Sequence, residues 1–394
     1  MRIAIIGSKG VPATYGGVER HVEELAKGLV KKGHSVTVYS RQWYTKYDKD
    51  EYEGIKIKNI RSIKSKNLDT ITYAFLATVD ALKSHDFDII HYQGVGPSLL
   101  SFIPRIFSRK VKVVATFHCE DYKHEKWGFF AKFMLKLGER ASAVFPHKTI
   151  TVSKILQDKV KNVYNREAEY IPNGVEIKDL KTIYENYEIY NKFKIERGKY
   201  IVVVTRLVRH KGVHLIVEAY KMLPEAVKNE YKLVIVGGSL FNDDYEKELK
   251  DMIRGEKNIV MTGTQTGNDL QTLYMGAKLF VHASSTEGLP IALLEASNYG
   301  KPVLVSDIPE HLEVIGKDRG FTFRNGDVDD LRLKLETLLD KDKEKELKEV
   351  AINAKKFVEK EYNWDDIVTK TEKLYEDVLS GKTQKAVIRG VARI

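Results

Sequence analysis

The sequence predicts an α/β protein made of two tandem Rossmann-like domains. Three observations carry this. Short β-branched runs alternate with amphipathic helical stretches. The alternation restarts past the middle of the chain. Turn chemistry separates the two series.

The first series of strands reads "RIAIIGS", "SVTVYS", "DIIHYQG", "VKVVATFH" and "KTITVS". Runs so nearly continuous in apolar residues suit a parallel sheet buried on both faces. Between the first two lies "GGVERHVEELAKGLVKKG", where Val18, Val22, Leu25 and Leu29 share one helical face. Glu19, Glu23 and Lys27 share another, and Gly33 is the expected stop. The second series reads "YIVVVTRL", "YKLVIVGGS", "NIVMTGT", "LFVHAS" and "PVLVSD". The join falls in "EYIPNGVEI", where Pro172 and Asn173-Gly174 supply a turn. The expected division is 1–172, 173–360, a closing helix at 361–379 and a basic tail at 380–394.

A chain of 394 residues suits two such cores better than one. No run reaches the roughly 18 to 20 apolar residues of a membrane span. "MRIAIIGSKG" reads as a buried strand entering a glycine loop, so this end is expected to be structural rather than a leader. The single cysteine, Cys119, excludes an intrachain disulfide and suits a reducing, cytoplasmic location. The net charge of +10 calls for anionic partners. No zinc spacing, recognition helix or RNA-binding signature is present, and the basic residues are scattered. Nucleic acid is therefore not expected; lipid headgroups or anionic small molecules are.

Ligands of open parallel sheets bind beyond the carboxyl ends of the strands, here in the cleft expected between two such sheets. Four polar motifs follow strands directly. "GSKGVPATYGGVERH" places Gly16 and Gly17 at a helix start after a loop longer than a bare turn. It is not G-x-G-x-x-G, and the plainer reading is a tight turn. His118 ends an apolar strand, where it is either a hydroxyl contact or a buried, satisfied histidine. Arg206 and Lys211 bracket a turn after "VVVT", as a fork and a point charge for phosphates or as solvated cations. The fourth is "LFVHASSTEGLPIALLEAS", with Glu287 in a polar loop, Pro290 at the helix start and Glu295 inside the helix. As one helix, the two acids would lie about 80° and 12 Å apart. That suits separate hydroxyl groups better than one metal. The amides near Gly288 and Leu289 offer an anion site between them. A sugar, a diphosphate and a ribose match this order. A helix-dipole role explains Glu287 simply but leaves Glu295 unexplained beside a buried run.

The E-x7-E spacing of Glu287 and Glu295 around "GLPIALLEA" resembles the motif of family-four retaining glycosyltransferases with the GT-B architecture. "GGVERHVEELAKGL", "PNGV", "TRL" with "KG", and "IVGGS" agree with it. "FHCEDYKHEKWG" resembles the acceptor-domain segment of bacterial capsule and O-antigen members, and "YNWDDIVTKTEKLYEDV" the closing helix that crosses back to the first domain. The resemblance implies a nucleoside diphosphate sugar as donor substrate, no cofactor and no metal. The acceptor would be a saccharide or lipid-linked saccharide in cell-surface polysaccharide synthesis. Gly16 and Gly17 would approach the donor diphosphate, and Arg206 and Lys211 would hold it. His118 would contact the transferred sugar. Glu287, with the Gly288 and Leu289 amides, would bind a sugar hydroxyl, and Glu295 the ribose. Two departures stand out: Thr205 replaces the usual glycine before Arg-Leu, and Cys119 and Glu120 follow the histidine where many members have an adjacent Asp.

Competing readings remain at this level. They are a nucleotide-sugar epimerase of the same architecture, a Rossmann oxidoreductase and a non-catalytic nucleotide-sugar-binding protein. "SFIPRIFSRKVK" and "KHEKWGFFAKFMLKLGER" mix aromatic and cationic residues. That suits peripheral contact with an anionic membrane surface, or an ordinary amphipathic core helix.

Overall fold

The computed structural model describes residues 1–14, 16–44, 47, 49–63, 65, 68–120, 122, 128–177, 179–180, 182–239 and 244–381. The tail expected at 380–394 lies outside them from residue 382 onward. The chain divides into two compact units. Unit 1 comprises Met1–Gly174 and the chain from Trp364; unit 2 comprises Val175–Asn363.

Unit 1 is built on β1 (Arg2–Ile6), β2 (Ser35–Arg41), β3 (Glu51–Tyr52), β4 (Ile55–Ile60), β5 (Ile89–Gln93), β6 (Lys112–Phe117), β7 (Lys148–Thr151) and β8 (Ala168–Tyr170). They form one eight-stranded sheet in the order β3-β4-β2-β1-β5-β6-β7-β8. All pairs are parallel except the short β3 against β4. The strand order reverses at β1/β5. Its central strands are buried apart from Arg2 at the start of β1, as their apolar runs require. One face packs the Gly17–Lys31 helix through Val22, Leu25, Ala26 and Leu29. The Trp364–Leu379 helix completes that layer with Ile367, Val368, Leu374, Tyr375 and Val378.

Unit 2 holds β9 (Tyr200–Val204), β10 (Lys232–Val236), β11 (Ile259–Gly263), β12 (Leu279–His282), β13 (Val303–Ser306) and β14 (Phe321–Phe323). Its six strands are all parallel in the order β11-β10-β9-β12-β13-β14. This is the doubly wound order, with its switch point between β9 and β12. The core beneath is dense in branched residues, including Ile201, Val203, Leu233, Ile235, Leu279 and Val281, each fully buried. No helix of the described residues is long and apolar enough to cross a membrane.

Candidate active site

Two loops leave the sheet of unit 2 on either side of its switch point. The β9 loop carries Arg206 and Lys211 and ends in the turn Arg209–Lys211. The β12 loop carries Glu287 and leads into the Ile291–Asn298 helix. Backbone contact knits them together. Ser285 N donates to His210 O at 2.9 Å. Gly212, at φ +64°, lies so close that a Cβ there would meet Ala283 O at 2.2 Å. Only glycine meets both demands, the left-handed backbone and the missing side chain.

This closeness brings Lys211 Nζ to 2.5 Å from Glu287 Oε1, with both side chains about nine-tenths buried. Burial pushes the Glu287 pKa up, but the Lys211 ammonium outweighs it and holds the carboxyl well below the usual range. Behind the pair runs a chain of buried side chains. His282 Nε2 lies 3.4 Å from Glu287 Oε1. His282 Nδ1 lies 3.2 Å from His311 Nε2. His311 Nδ1 donates to Ser306 O at 2.9 Å, and the Ser306 hydroxyl donates to Ser284 O at 2.5 Å. Burial lowers the His282 pKa to about 3 and that of His311 to about 4. Both rings are thus neutral near pH 7.

His282, Glu287 and His311 are the one set of three or more His, Cys, Asp or Glu among the described residues whose ligand atoms lie within 4.8 Å of one another. Lys211 already supplies a cation on the carboxylate, and His282 Nδ1 and both His311 nitrogens are hydrogen-bonded along the chain. The arrangement is a buried polar chain that runs from Lys211 through Glu287 and the two rings to Ser306.

The other expected residues of unit 2 separate in the structure. Arg206 is exposed. Gly288 and Leu289 are buried just ahead of the helix. Because the helix begins only at Ile291, Glu287 stands outside it. Glu295 is half-buried inside it, and its Oε2 accepts from Tyr274 OH at 3.0 Å. Glu287 and Glu295 thus have different partners, one a cation and one a phenol.

In unit 1 the expected residues lie at the carboxyl ends of β1 and β6. Gly16 precedes the first helix with φ +93°, and a Cβ there would meet Glu19 Oε2 at 2.1 Å. Glu19 and Glu23, placed by periodicity on a polar face, are buried instead. They accept from the loop amides of Lys9, at 3.1 Å, and Ala13, at 2.5 Å. Acids in the first two turns of a helix therefore tie down the glycine loop.

His118 is 6% exposed. Its Nε2 lies 2.7 Å from Gln93 Oε1, an acceptor, so Nε2 carries the proton. Gln93 Nε2 in turn donates to His91 Nδ1 at 3.3 Å. Tyr375 OH donates to the same nitrogen at 2.7 Å, and His91 Nε2 donates to Thr116 Oγ1 at 2.7 Å. His21 stands edge-on to His118, with centroids 4.9 Å apart. Burial holds the His118 pKa well below its ordinary value. A neutral His118 with Nε2–H committed to Gln93 has Nδ1 left to offer, as an acceptor. Beyond it, Glu120 and Glu139 both pair with Lys159, anchoring the segment that follows β6.

Gln93, His282 and His311 are among the residues of these networks that had no place in the sequence reading. Gln93 and His282 end strands β5 and β12, and that position was the signal available for them.

Two family models match the chain. "Glycosyltransferase Family 4" matches residues 15–179, and "Glycosyl transferases group 1" matches residues 186–357. The uncharacterized glycosyltransferase MJ1607 of Methanocaldococcus jannaschii is 26% identical, covering 95% of this chain and 98% of its own length. O-antigen chain mannosyltransferase C of Escherichia coli is 23% identical, covering 81% of this chain and 83% of its own. Among solved structures, Anabaena Alr3699/HepE, in complex with UDP and glucose, superposes with a TM-score of 0.76 at 19% identity. That superposition covers 96% of this chain and 100% of that one. With the two models together spanning most of the sequence, and a doubly wound sheet in each unit, the chain belongs to the family-four glycosyltransferases of GT-B fold.

Proposed function

We propose that this glycosyltransferase moves a sugar from a nucleoside diphosphate donor to a saccharide or lipid-linked saccharide, with retention of anomeric configuration and without a metal. The observation that carries the reading is the buried Lys211–Glu287 pair at the switch point of unit 2, ahead of a helix N-terminus. Lys211 and exposed Arg206 would meet the diphosphate, with the backbone near Gly288 and Leu289. Glu287 would accept from a hydroxyl of the transferred sugar and Glu295 from the ribose. In unit 1, Gly16 and Gly17 would approach the diphosphate and His118 would accept from the sugar.

In the reaction, the bond from the anomeric carbon to the phosphate oxygen breaks as the acceptor oxygen attacks on the same face. The acceptor proton passes to the departing phosphate. Lys211, Arg206 and the helix end stabilise the charge that develops there. No side chain is assigned as a covalent nucleophile.

We also place the protein at the cytoplasmic membrane surface, as a peripheral protein. In the Phe129–Val144 helix, Phe129, Phe130 and Phe133 are 91%, 74% and 52% exposed. Phe129, Phe133 and Leu137 recur at a spacing of four, which aligns them on one face. Lys132, Lys136 and Arg140 recur at the same spacing beside them, the pattern of an interfacial helix.

A nucleotide-sugar panel tests the donor reading: one sugar nucleotide raises the thermal midpoint well above the others. Incubating that donor with candidate acceptors and reading the anomeric proton by NMR then gives the stereochemistry. An inverted product refutes retention. Tight binding without turnover on any acceptor favours a binding protein, and an epimerised free nucleotide sugar favours an epimerase.

A further inference from the structure

The relay behind Glu287 is one proton short. His311 Nδ1 faces two acceptors, the Ser306 carbonyl at 2.9 Å and the Ser306 hydroxyl at 3.1 Å, whose own proton goes to Ser284 O. His311 therefore carries its proton on Nδ1 and accepts on Nε2. The donor to that nitrogen is His282 Nδ1–H, at 3.2 Å. A neutral His282 is then left with a bare Nε2, and a carboxylate oxygen lies 3.4 Å from it. Two acceptors face each other inside the protein, and His282 is 2% exposed.

The free protein tolerates this because Lys211 Nζ donates to the same Glu287 Oε1. Among the described residues, the charged or titratable groups acting on His282 are Glu287 from the β12 loop, His311 from the Pro309–Ile315 helix and Lys211 from the β9 loop. Burial keeps the ring neutral against the pull of Glu287, with smaller help from His311 and then from the Lys211 ammonium. A diphosphate that draws Lys211 away removes one opponent of protonation and leaves the carboxylate short of a donor.

We propose that His282 and His311 are positioning residues that take up a proton when the donor binds. As the diphosphate engages Lys211, His282 Nε2 gains a proton from solvent and donates it to Glu287 Oε1. The carboxylate keeps a fixed orientation and a counter-charge while its second oxygen faces the sugar. His311, anchored on Ser306, holds the ring in register throughout. This rests on the reading that Lys211 meets the diphosphate.

The test is calorimetry of the full chain with UDP-glucose and GDP-mannose, whose diphosphate diesters do not titrate near neutrality. Each titration is run at pH 6 in buffers of differing ionisation heat. The expected result is a buffer-dependent heat showing net uptake that approaches about one proton per site. Because the bound state holds the extra proton, affinity rises as pH falls, by up to about tenfold per pH unit. That rise persists until the pH nears the free His282 value of about 3.

Binding with heats independent of buffer overturns the proposal and leaves the donor reading intact. Failure of both sugar nucleotides to bind removes both. In His282→Gln an amide N–H stands in for the protonated nitrogen, so binding is expected without uptake. Undiminished uptake in that variant also overturns the assignment. If the variant does not fold, 15N-histidine NMR of the unmodified protein decides. The His282 Nε2 resonance moves to the imidazolium range on binding, and an unmoved resonance refutes the proposal.

Discussion

Replacing Lys211 by Met removes the ammonium 2.5 Å from Glu287 Oε1 and leaves a carboxylate with only 9% of its side chain exposed. At that separation and an effective dielectric of about 20, the attraction is about 7 kcal/mol before desolvation is counted. Desolvation cancels part of it, and breaking a buried pair by removing one partner typically costs about 3 to 5 kcal/mol. Glu287→Gln alone strands the ammonium and carries a similar cost. The double variant strands neither charge, so it is expected to be less destabilised than the sum of the singles by about 2 to 3 kcal/mol. The readout is hydrogen exchange of peptides covering β9 and β12, followed through urea, which reports on unit 2 alone. Singles that add to within about 0.5 kcal/mol in the double would refute the coupling. The pH dependence supplies a second check. The Glu287 pKa is lowered in the folded protein, so its contribution is fully present above the unfolded carboxylate value and is lost as pH falls toward the folded one. The gap between the natural protein and Lys211→Met should therefore narrow on acidification below about pH 4.

Gly212→Ala should lower stability by more than about 2 kcal/mol, since it adds positive-φ strain to a collision with the Ala283 carbonyl. An unchanged thermal midpoint by circular dichroism would contradict this. Tyr274→Phe removes the 3.0 Å bond to Glu295 and should cost about 1 to 2 kcal/mol. Exchange of the Ile291–Asn298 helix should quicken with it, and identical protection would count against the contact. Changing Phe129, Phe130 and Phe133 together to Ser should weaken flotation with anionic vesicles by more than about tenfold, at about 1.5 to 3 kcal/mol for each buried Phe. The thermal midpoint should stay put, because all three are exposed; unchanged flotation sinks the membrane reading.

The double alternation of strands and helices was legible because the central strands are apolar on both faces, which leaves few other structures for such runs. Strands at or next to a sheet edge were not. β4 reads "IKIKNI", with lysines alternating outward, and pairs with only one parallel neighbour on its inner side. β14 is three residues long and gives periodicity nothing to act on. At the site, Glu287 and Lys211 were visible as charges after strands. Their pairing was not, because it depends on Gly212 meeting Ala283, residues far apart in sequence. Glu19 and Glu23 were misplaced for a related reason. Helical phase puts them on a polar face, but that face is covered by the Lys9 and Ala13 backbone, which no periodicity reveals. His282 and His311 drew no reading from the sequence, and their contact becomes evident only when β12 and the Pro309–Ile315 helix are seen side by side.

The Trp364–Leu379 helix has a consequence for biogenesis. Unit 2 is an insertion whose two ends meet: Val175 N donates to Tyr362 O at 2.8 Å, and Val175 bridges to Asn363. On the ribosome, unit 2 has all its own residues before unit 1 does, although unit 1 begins first. Until the last helix emerges, unit 1 lacks Ile367 and Tyr375, both fully buried in its core. It also lacks the hydroxyl that donates to His91 at 2.7 Å, and through His91 and Gln93 the setting of His118 is incomplete. A nonsense mutation near residue 364 would therefore spare the loops that carry Lys211 and Glu287 and disturb the setting of His118, some 250 residues upstream.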